Sequence, residues 1–99
     1  MPKVYRDNTG LYLFYCPGCD CDHGVWVDFP NPTTGGRWTF NGNVEWPTFN
    51  PSLLISWNLE KDYKRICHSV IKDGVIEYLN DCTHALAGKR VEMEEIESD

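Results

Sequence analysis

The residue types that bind soft metals are confined to three short clusters of this 99-residue chain. All five cysteines and all three histidines lie within Cys16–His23, Cys67-His68 and Cys82–His84. Thiolate sulfur and imidazole nitrogen are the ligands that zinc prefers in proteins. The clustering therefore predicts a small domain whose fold is stapled by a zinc ion.

Cys16 and Cys19 form the stronger half of this predicted site. Pro17 and Gly18 between them favour a tight turn, which can bring both sulfurs to one ion while backbone amides point at the sulfurs. A redox-active dithiol is the alternative, but such pairs precede a helix in a strand-helix-strand unit. The residues after Cys19 have a strand pattern instead, so metal ligation is the favoured interpretation.

The two later clusters supply the other half of the site. Adjacent residues of a strand point to opposite faces, so Cys67 and His68 do not easily bind the same ion. If Asp73-Gly74 is a two-residue turn, Cys67 lies on the same face as Cys82. If the turn has three residues and a glycine bulge, the register slips by one and His68 takes that place. The sequence leaves both registers open.

A closed shell of four sulfurs is the preferred metal site, because thiolates outcompete imidazole for a buried zinc ion. Its members are Cys16, Cys19, Cys67 and Cys82. A shell in which His68 or His84 replaces one sulfur is the close alternative. Cys21 and His23 exceed the four places of one ion, so they are interpreted as an ordinary small residue and a surface or outer group.

A second, catalytic zinc is a further alternative. The three histidines would bind it and leave one position open, and a neighbouring aspartate would act as general base. The residues concerned are His23, His68, His84, Asp20, Asp22 and Asp81. Nothing in their spacing shows that the histidines converge.

Other catalytic patterns are weaker. Ser52, Ser56 and Ser69 lack the glycines of a nucleophile elbow. The chain also has neither a phosphate-binding glycine loop nor a dinucleotide fingerprint. The sequence therefore indicates no serine nucleophile.

The elements that must position these clusters are short strands separated by turns. Aromatic and β-branched residues alternate with polar ones, while Pro, Gly, Asn and Asp mark the breaks. The predicted strands are Leu11–Tyr15, Val25–Phe29, Trp38–Phe40, Ser52–Trp57, Cys67–Ile71, Val75–Leu79 and Val91–Met93. The predicted fold is mainly β, a small antiparallel β-sheet or sandwich with a zinc-ribbon-like knuckle and little helix. Residues 1–93 form one predicted zinc-stapled domain, followed by an acidic tail over 94–99.

Charge and composition limit the cellular compartment and the class of partner that we expect. The formal charge of −6 disfavours binding to nucleic acid. The odd number of cysteines excludes a fully paired disulfide framework, and no signal peptide is recognised at the N-terminus. No apolar stretch approaches the roughly 20 residues of a membrane span. We therefore expect a cytoplasmic protein of a bacterial host cell, with no membrane segment.

Four stretches resemble a family of small phage and prophage metal-binding proteins that often carry the automatic label ammonia monooxygenase. The stretches are Phe14–Cys19 with His23-Gly24, Trp38–Gly42, Pro47–Leu54, and Cys67–Ser69 through Asp73-Gly74 to Asp81–Gly88. The monooxygenase label is set aside, because the chain has no spanning segment for a membrane copper enzyme.

The resemblance implies a metal-binding domain and a protein partner. The matching metal positions are Cys16, Cys19, His23, Cys67, His68, Cys82 and His84, whereas Cys21 does not clearly match. Relatives lie near bacterial genes for ubiquitin-like conjugation, which points to a protein partner. The resemblance supplies no reaction.

These observations together favour a non-enzymatic module that binds another protein and uses zinc only as a structural crosslink. A small zinc-dependent hydrolase using His23, His68 and His84 is the first alternative. A zinc-ribbon-like nucleic-acid module is the second. We expect the chain not to be an enzyme.

Overall fold

A computed structural model describes residues 2–60 and 63–96 of the chain. Within these residues the fold contains eight strands and no helix. The strands form two antiparallel sheets, one of three strands and one of five. The mainly-β antiparallel prediction is therefore confirmed.

The smaller sheet has the order β1-β2-β3 and carries the first metal cluster. Its strands are β1 (Tyr5–Arg6), β2 (Leu11–Cys16) and β3 (Cys21–Trp26). Cys16 pairs with Cys21, so the Cys-Pro-Gly-Cys knuckle is the turn of the β2–β3 hairpin. Asp20 closes this turn with a φ of 53°, a left-handed conformation that aspartate tolerates better than most residues.

The larger sheet follows chain order, β4-β5-β6-β7-β8. Its strands are β4 (Thr39–Phe40), β5 (Phe49–Glu60), β6 (Tyr63–Lys72), β7 (Val75–Tyr78) and β8 (Arg90–Glu92). The predicted strand at residues 52–57 is thus the middle of a longer one.

The β6–β7 turn resolves the register that the sequence leaves open. Lys72 pairs with Val75, so Asp73 and Gly74 form a two-residue turn. Both have positive φ, 50° and 77°, as a type I′ hairpin turn requires. Cys67 consequently lies fully buried, whereas the neighbouring His68 lies on the opposite face of β6.

The pairing of β5 with β6 is irregular near one end. Phe49 pairs with Ile71 and Leu53 with Ser69, so four steps along β5 correspond to two along β6. The extra residues bend β5 where Pro51 and Ser52 lie. Beyond Leu53 the register is regular through Asn58.

The core lies between the two sheets and includes thiols. The smaller sheet buries Phe14 and Val25, and the larger one buries Leu53, Ile76 and Tyr78. The Tyr12 ring packs in a tilted arrangement on Phe40 and connects the two sheets, and Phe40 in turn stacks on Phe49 within the larger sheet. Phe29 does not join Val25 inside, because β3 ends at Trp26 and the Phe29 side chain is 39% exposed. No helix in the described part of the chain is long and apolar enough to cross a bilayer.

Candidate active site and candidate metal centre

A serine, a histidine and an aspartate form a continuous hydrogen-bonded chain on the larger sheet. Ser52 Oγ lies 3.2 Å from His68 Nε2. His68 Nδ1 lies 3.0 Å from Asp81 Oδ2. These atoms and distances match the order of contacts in a Ser-His-Asp catalytic triad, which is recognised by geometry and not by sequence position.

Strand alternation places the serine and the histidine on one face. His68 of β6 is opposite Leu54 of β5, and Ser52 is two residues before Leu54 on the same exposed face. Ser52 is therefore a diagonal neighbour of His68, within reach of a side-chain contact.

Asp81 lies in the segment after β7, which continues to pair with β6. The Leu79 amide donates to the His68 carbonyl at 2.9 Å, and the Thr83 amide donates to the Ile66 carbonyl at 2.9 Å. Cys82 Sγ lies 3.2 Å from both the amide nitrogen and the carbonyl oxygen of His68. The backbone on both sides of Asp81 is thus fixed to the strand that carries His68.

The hydrogen-bonded triad is open to solvent. Ser52 is exposed, and the side chains of His68 and Asp81 are 24% and 51% exposed. A substrate can reach the serine, the imidazole can accept the hydroxyl proton, and the carboxylate can hold the imidazole in position. The three groups thus have the order that a nucleophile, a base and an orienting carboxylate have in acyl transfer.

A second group of reactive side chains lies beneath this face. The ligand atoms of Cys16, Cys19, His23 and Cys67 are all within 4.8 Å of one another. Cys16 Sγ and Cys67 Sγ are 3.9 Å apart. Two sulfurs on a tetrahedral zinc ion, with bonds of about 2.3 Å, are separated by about 3.8 Å. The knuckle and strand β6 therefore hold these two sulfurs at a distance that suits binding to one zinc ion.

A smaller group overlaps the first through Cys67. It consists of Cys67, Cys82 and His84, whose ligand atoms also lie within 4.8 Å of one another. The His84 imidazole packs on the knuckle, because a Cβ at Gly18 would lie 2.4 Å from His84 Cε1. His68 belongs to neither group, and Cys21 is exposed.

Hydrogen bonding and burial limit which thiols of the cysteine cluster lose a proton. The hydrogen bond from the Cys67 thiol lowers the pKa of Cys16 to about 3. Burial raises the pKa of Cys19 to about 11. The hydrogen bond with Cys16, together with burial, raises the pKa of Cys67. A bound cation would remove this limit, because metal binding releases the thiol protons.

Unpaired buried nitrogens show that the cluster suits a metal ion. His23 Nε2 and His84 Nε2 are buried and have no hydrogen-bond partner in the described part of the chain. His84 Nδ1 accepts a bond from the Leu86 amide, whereas Nε2 remains free. Burying such a nitrogen unpaired is costly, so the His23 nitrogen favours a cation in the group with Cys16, Cys19 and Cys67. The His84 nitrogen is available to a cation in the smaller group with Cys67 and Cys82.

Sequence reasoning missed two residues of these sites. Ser52 has no local motif, because the histidine and the aspartate of its hydrogen-bonded chain come from β6 and from the segment after β7. His23 had a usable signal, since it is two residues before the inward-facing Val25 and shares its side of β3. It was interpreted as a surface or outer group, but its side chain is 6% exposed.

The three-histidine arrangement proposed for a catalytic zinc is not formed by the described residues. His23 belongs to one group, His84 to the other and His68 to the triad. A hydrolase was thus among the predicted alternatives, but with a different set of residues.

A family model described as bacterial ubiquitination-like system serine protease, BubE, matches residues 2–79. The matched range includes Ser52, His68 and the four residues of the larger metal group, and it ends two residues before Asp81. No curated protein and no solved structure matches the chain. The match agrees with the predicted link to ubiquitin-like conjugation, whereas its description refers to a bacterial system and not to phages.

The family corrects one expectation from the sequence. We expected a non-enzymatic module, but the matched family is named for a protease activity. The expectation was wrong because serines were judged by a local glycine motif, whereas a triad is assembled from distant segments. The chain belongs to the BubE family of bacterial ubiquitination-like system serine proteases.

Proposed function

We propose that this chain is a serine protease in which Ser52 is the nucleophile, His68 the general base and Asp81 the residue that orients His68. The observation that carries the proposal is the unbroken hydrogen-bonded chain from Ser52 Oγ through both ring nitrogens of His68 to Asp81. The family description supports the same reaction class.

In the proposed reaction, Ser52 Oγ attacks the carbonyl carbon of the scissile bond while His68 Nε2 takes the hydroxyl proton. The bond to the leaving group breaks, and His68 returns this proton to the leaving group. A water molecule then attacks the acyl group while His68 takes its proton. The bond from the acyl carbon to Ser52 Oγ breaks, and His68 returns the proton to this oxygen. Asp81 stabilises the imidazolium in both steps.

The substrate in this proposal is a protein of a ubiquitination-like system. The support for it is the family description, which couples the protease to such a system. Partners are accordingly proteins, and the exposed triad leaves room for a polypeptide chain.

We further propose a structural zinc ion held by Cys16, Cys19, His23 and Cys67. These residues provide four protein ligands, which is the closed shell of structural zinc sites. Cys82 is not a member of this group, whose four ligand atoms all lie within 4.8 Å of one another. When bound, zinc would crosslink the β2–β3 knuckle to β6.

A small fluorophosphonate probe tests the proposed protease activity, because it reacts with activated serines and needs no peptide recognition. We expect a single addition to the wild-type protein, detected by intact mass. Ser52→Ala and His68→Ala should abolish the addition. Ser56→Ala is the matched control, since Ser56 is exposed on the same strand and should be dispensable. Unchanged labelling of Ser52→Ala would refute the assignment.

A further inference from the structure

The strand that carries Ser52 has an open edge. β4 pairs only with the first two residues of β5, Thr39 with Asn50 and Phe40 with Phe49. From Ser52 to Trp57, the described strands pair with β5 on its β6 side only. The opposite side of this stretch is an unpaired sheet edge directly beside the nucleophile.

The hydrogen bonds of β6 show which backbone groups face this edge. The amide and carbonyl of His68 bond to Cys82 Sγ and to the Leu79 amide, away from β5. His68 and Leu54 are therefore a pair that exchanges no backbone bonds, and both backbone groups of Leu54 point outward.

The pair of Ser56 with Ile66, two positions further along the strands, also exchanges no backbone hydrogen bonds. The Ile66 carbonyl accepts from the Thr83 amide, and the Ile66 amide donates to Thr83 Oγ1. Its partner on β5, Ser56, therefore also turns its amide and carbonyl toward the edge. Leu54 and Ser56 present two evenly spaced donor-acceptor pairs.

This edge lacks the features that usually protect one. Pro51 and the irregular start of β5 lie at the beginning of this edge, but from Leu53 to Trp57 the strand is regular and contains no charged residue and no proline, and Leu54 is 58% exposed. Natural proteins normally blunt an open edge with lysine, proline, a bulge or a covering loop. An unprotected apolar edge next to a nucleophile indicates that a polypeptide pairs with it.

We propose that an extended segment of the substrate polypeptide binds as an added strand along Ser52–Trp57, with its scissile bond beside Ser52. The proposal rests on the proposed protease function and adds the mode of substrate recognition. A paired strand lies about 4.8 Å from its neighbour, which brings its carbonyl groups close to a serine on that neighbour.

Leu54 gives this edge a side-chain preference. Its side chain is on the same exposed face as Ser52, two residues away. A substrate residue directly opposite Leu54 lies about 5.5 Å away on the same face, within contact of it. The edge therefore selects an apolar residue about two positions from the scissile bond, in a segment without fixed secondary structure.

Backbone pairing can be tested on the wild-type protein with a peptide library made by digesting a bacterial proteome. New termini are identified by mass spectrometry, and one cleaved peptide is then resynthesised with a single N-methyl group at each position in turn. Strand pairing predicts that cleavage falls at least about tenfold at every second residue, since alternate amides bond to the edge. Equal effects at neighbouring positions, or no cleaved peptide although the fluorophosphonate labels Ser52, would overturn the proposal.

A pair of variants tests the same edge from the protein side. Leu54→Pro removes an amide that faces the open edge, where proline is tolerated, whereas Leu54→Ala keeps it. We expect Leu54→Pro to cleave the peptide at least about tenfold more slowly than Leu54→Ala, a loss of about 1.4 kcal/mol. Fluorophosphonate labelling of Ser52 is measured in both variants and cleavage is expressed relative to it, because the probe needs no peptide pairing.

Ile55→Pro is the internal control for strand orientation. Ile55 pairs with Cys67, and its amide faces β6, so its loss removes a ladder bond and should unfold the protein. Equal cleavage by Leu54→Pro and Leu54→Ala overturns the edge proposal while leaving the protease intact. Absence of labelling in the wild-type protein refutes the protease itself, and the edge proposal with it.

Discussion

His68 is held by hydrogen bonds to its side chain and to its backbone at once. The ring lies between Ser52 and Asp81, and the main chain is bound to Leu79 and Cys82. This double attachment fixes the imidazole relative to the serine. Because Leu79 and Cys82 flank Asp81, the same bonds also fix Asp81 relative to His68.

Asp81→Asn should slow fluorophosphonate labelling of Ser52 by roughly a hundredfold or more, while the fold remains unchanged. The amide keeps the shape of the carboxylate but does not stabilise the imidazolium, and it favours the wrong tautomer of His68. Labelling rate and circular dichroism are the measurements. Asp73→Asn is the control, because Asp73 lies in the β6–β7 turn. A wild-type rate for Asp81→Asn would exclude Asp81 from the triad.

Substitutions at Cys82 and His23 distinguish the two possible metal shells, the one that contains His23 and the one that contains four sulfurs. We expect one zinc ion per chain in the wild type and in Cys82→Ser, because a serine hydroxyl can replace the bonds from Cys82 to His68. Cys16→Ser and His23→Ala should lose the ion, and Cys21→Ala should retain it, as an exposed residue outside the cluster. Elemental analysis of the purified proteins is the test. Loss of zinc in Cys82→Ser together with its retention in His23→Ala would restore the four-sulfur shell.

At the scale of elements, β6 carries both sites on opposite faces. Cys67 faces inward to the metal group and His68 outward to the triad, as strand alternation requires. A shift of β6 by one residue would exchange them. The knuckle crosslink would therefore also hold the register on which the triad depends.

The knuckle allows a test of this packing through Gly18. Gly18→Ala should destabilise the protein by about 1–3 kcal/mol, because the new Cβ would lie within 2.4–2.7 Å of three atoms of the His84 ring. Gly36→Ala is the matched control, since its nearest contact would be 3.4 Å, from the Thr34 side chain. Thermal unfolding of both variants is the measurement. Equal stability would show that His84 does not rest on the knuckle.

The elements were largely predictable, and their assembly was not. Alternation and turn residues predict the β2, β5, β6 and β7 strands, and the Asp73-Gly74 turn limits the β6–β7 register to two alternatives. The triad depends on a pairing between β5 and β6 with an irregular start, which no local pattern encodes. Ser52 was therefore not recognised from the sequence, whereas Cys16, Cys19 and Cys67 were predicted to share one site, and their sulfurs lie within 4.8 Å of one another.

On the scale of the whole molecule, metal and fold should be lost together. A chain of this size has a small core, and a structural zinc contributes on the order of 10 kcal/mol against a net stability of about 5–15 kcal/mol. A strong chelator should therefore abolish the cooperative unfolding transition and the labelling of Ser52 together, and added zinc should restore both. Unfolding is followed by circular dichroism. Full activity in metal-free, natively folded protein would contradict the structural role of zinc.

In the proposed mechanism, this small β domain activates Ser52 through His68 and Asp81. The most direct test is peptide mapping of the zinc-loaded wild-type protein after reaction with the fluorophosphonate. We expect the adduct on Ser52 alone. An adduct on another serine or on a cysteine, or no adduct on a folded and metal-loaded chain, would contradict it.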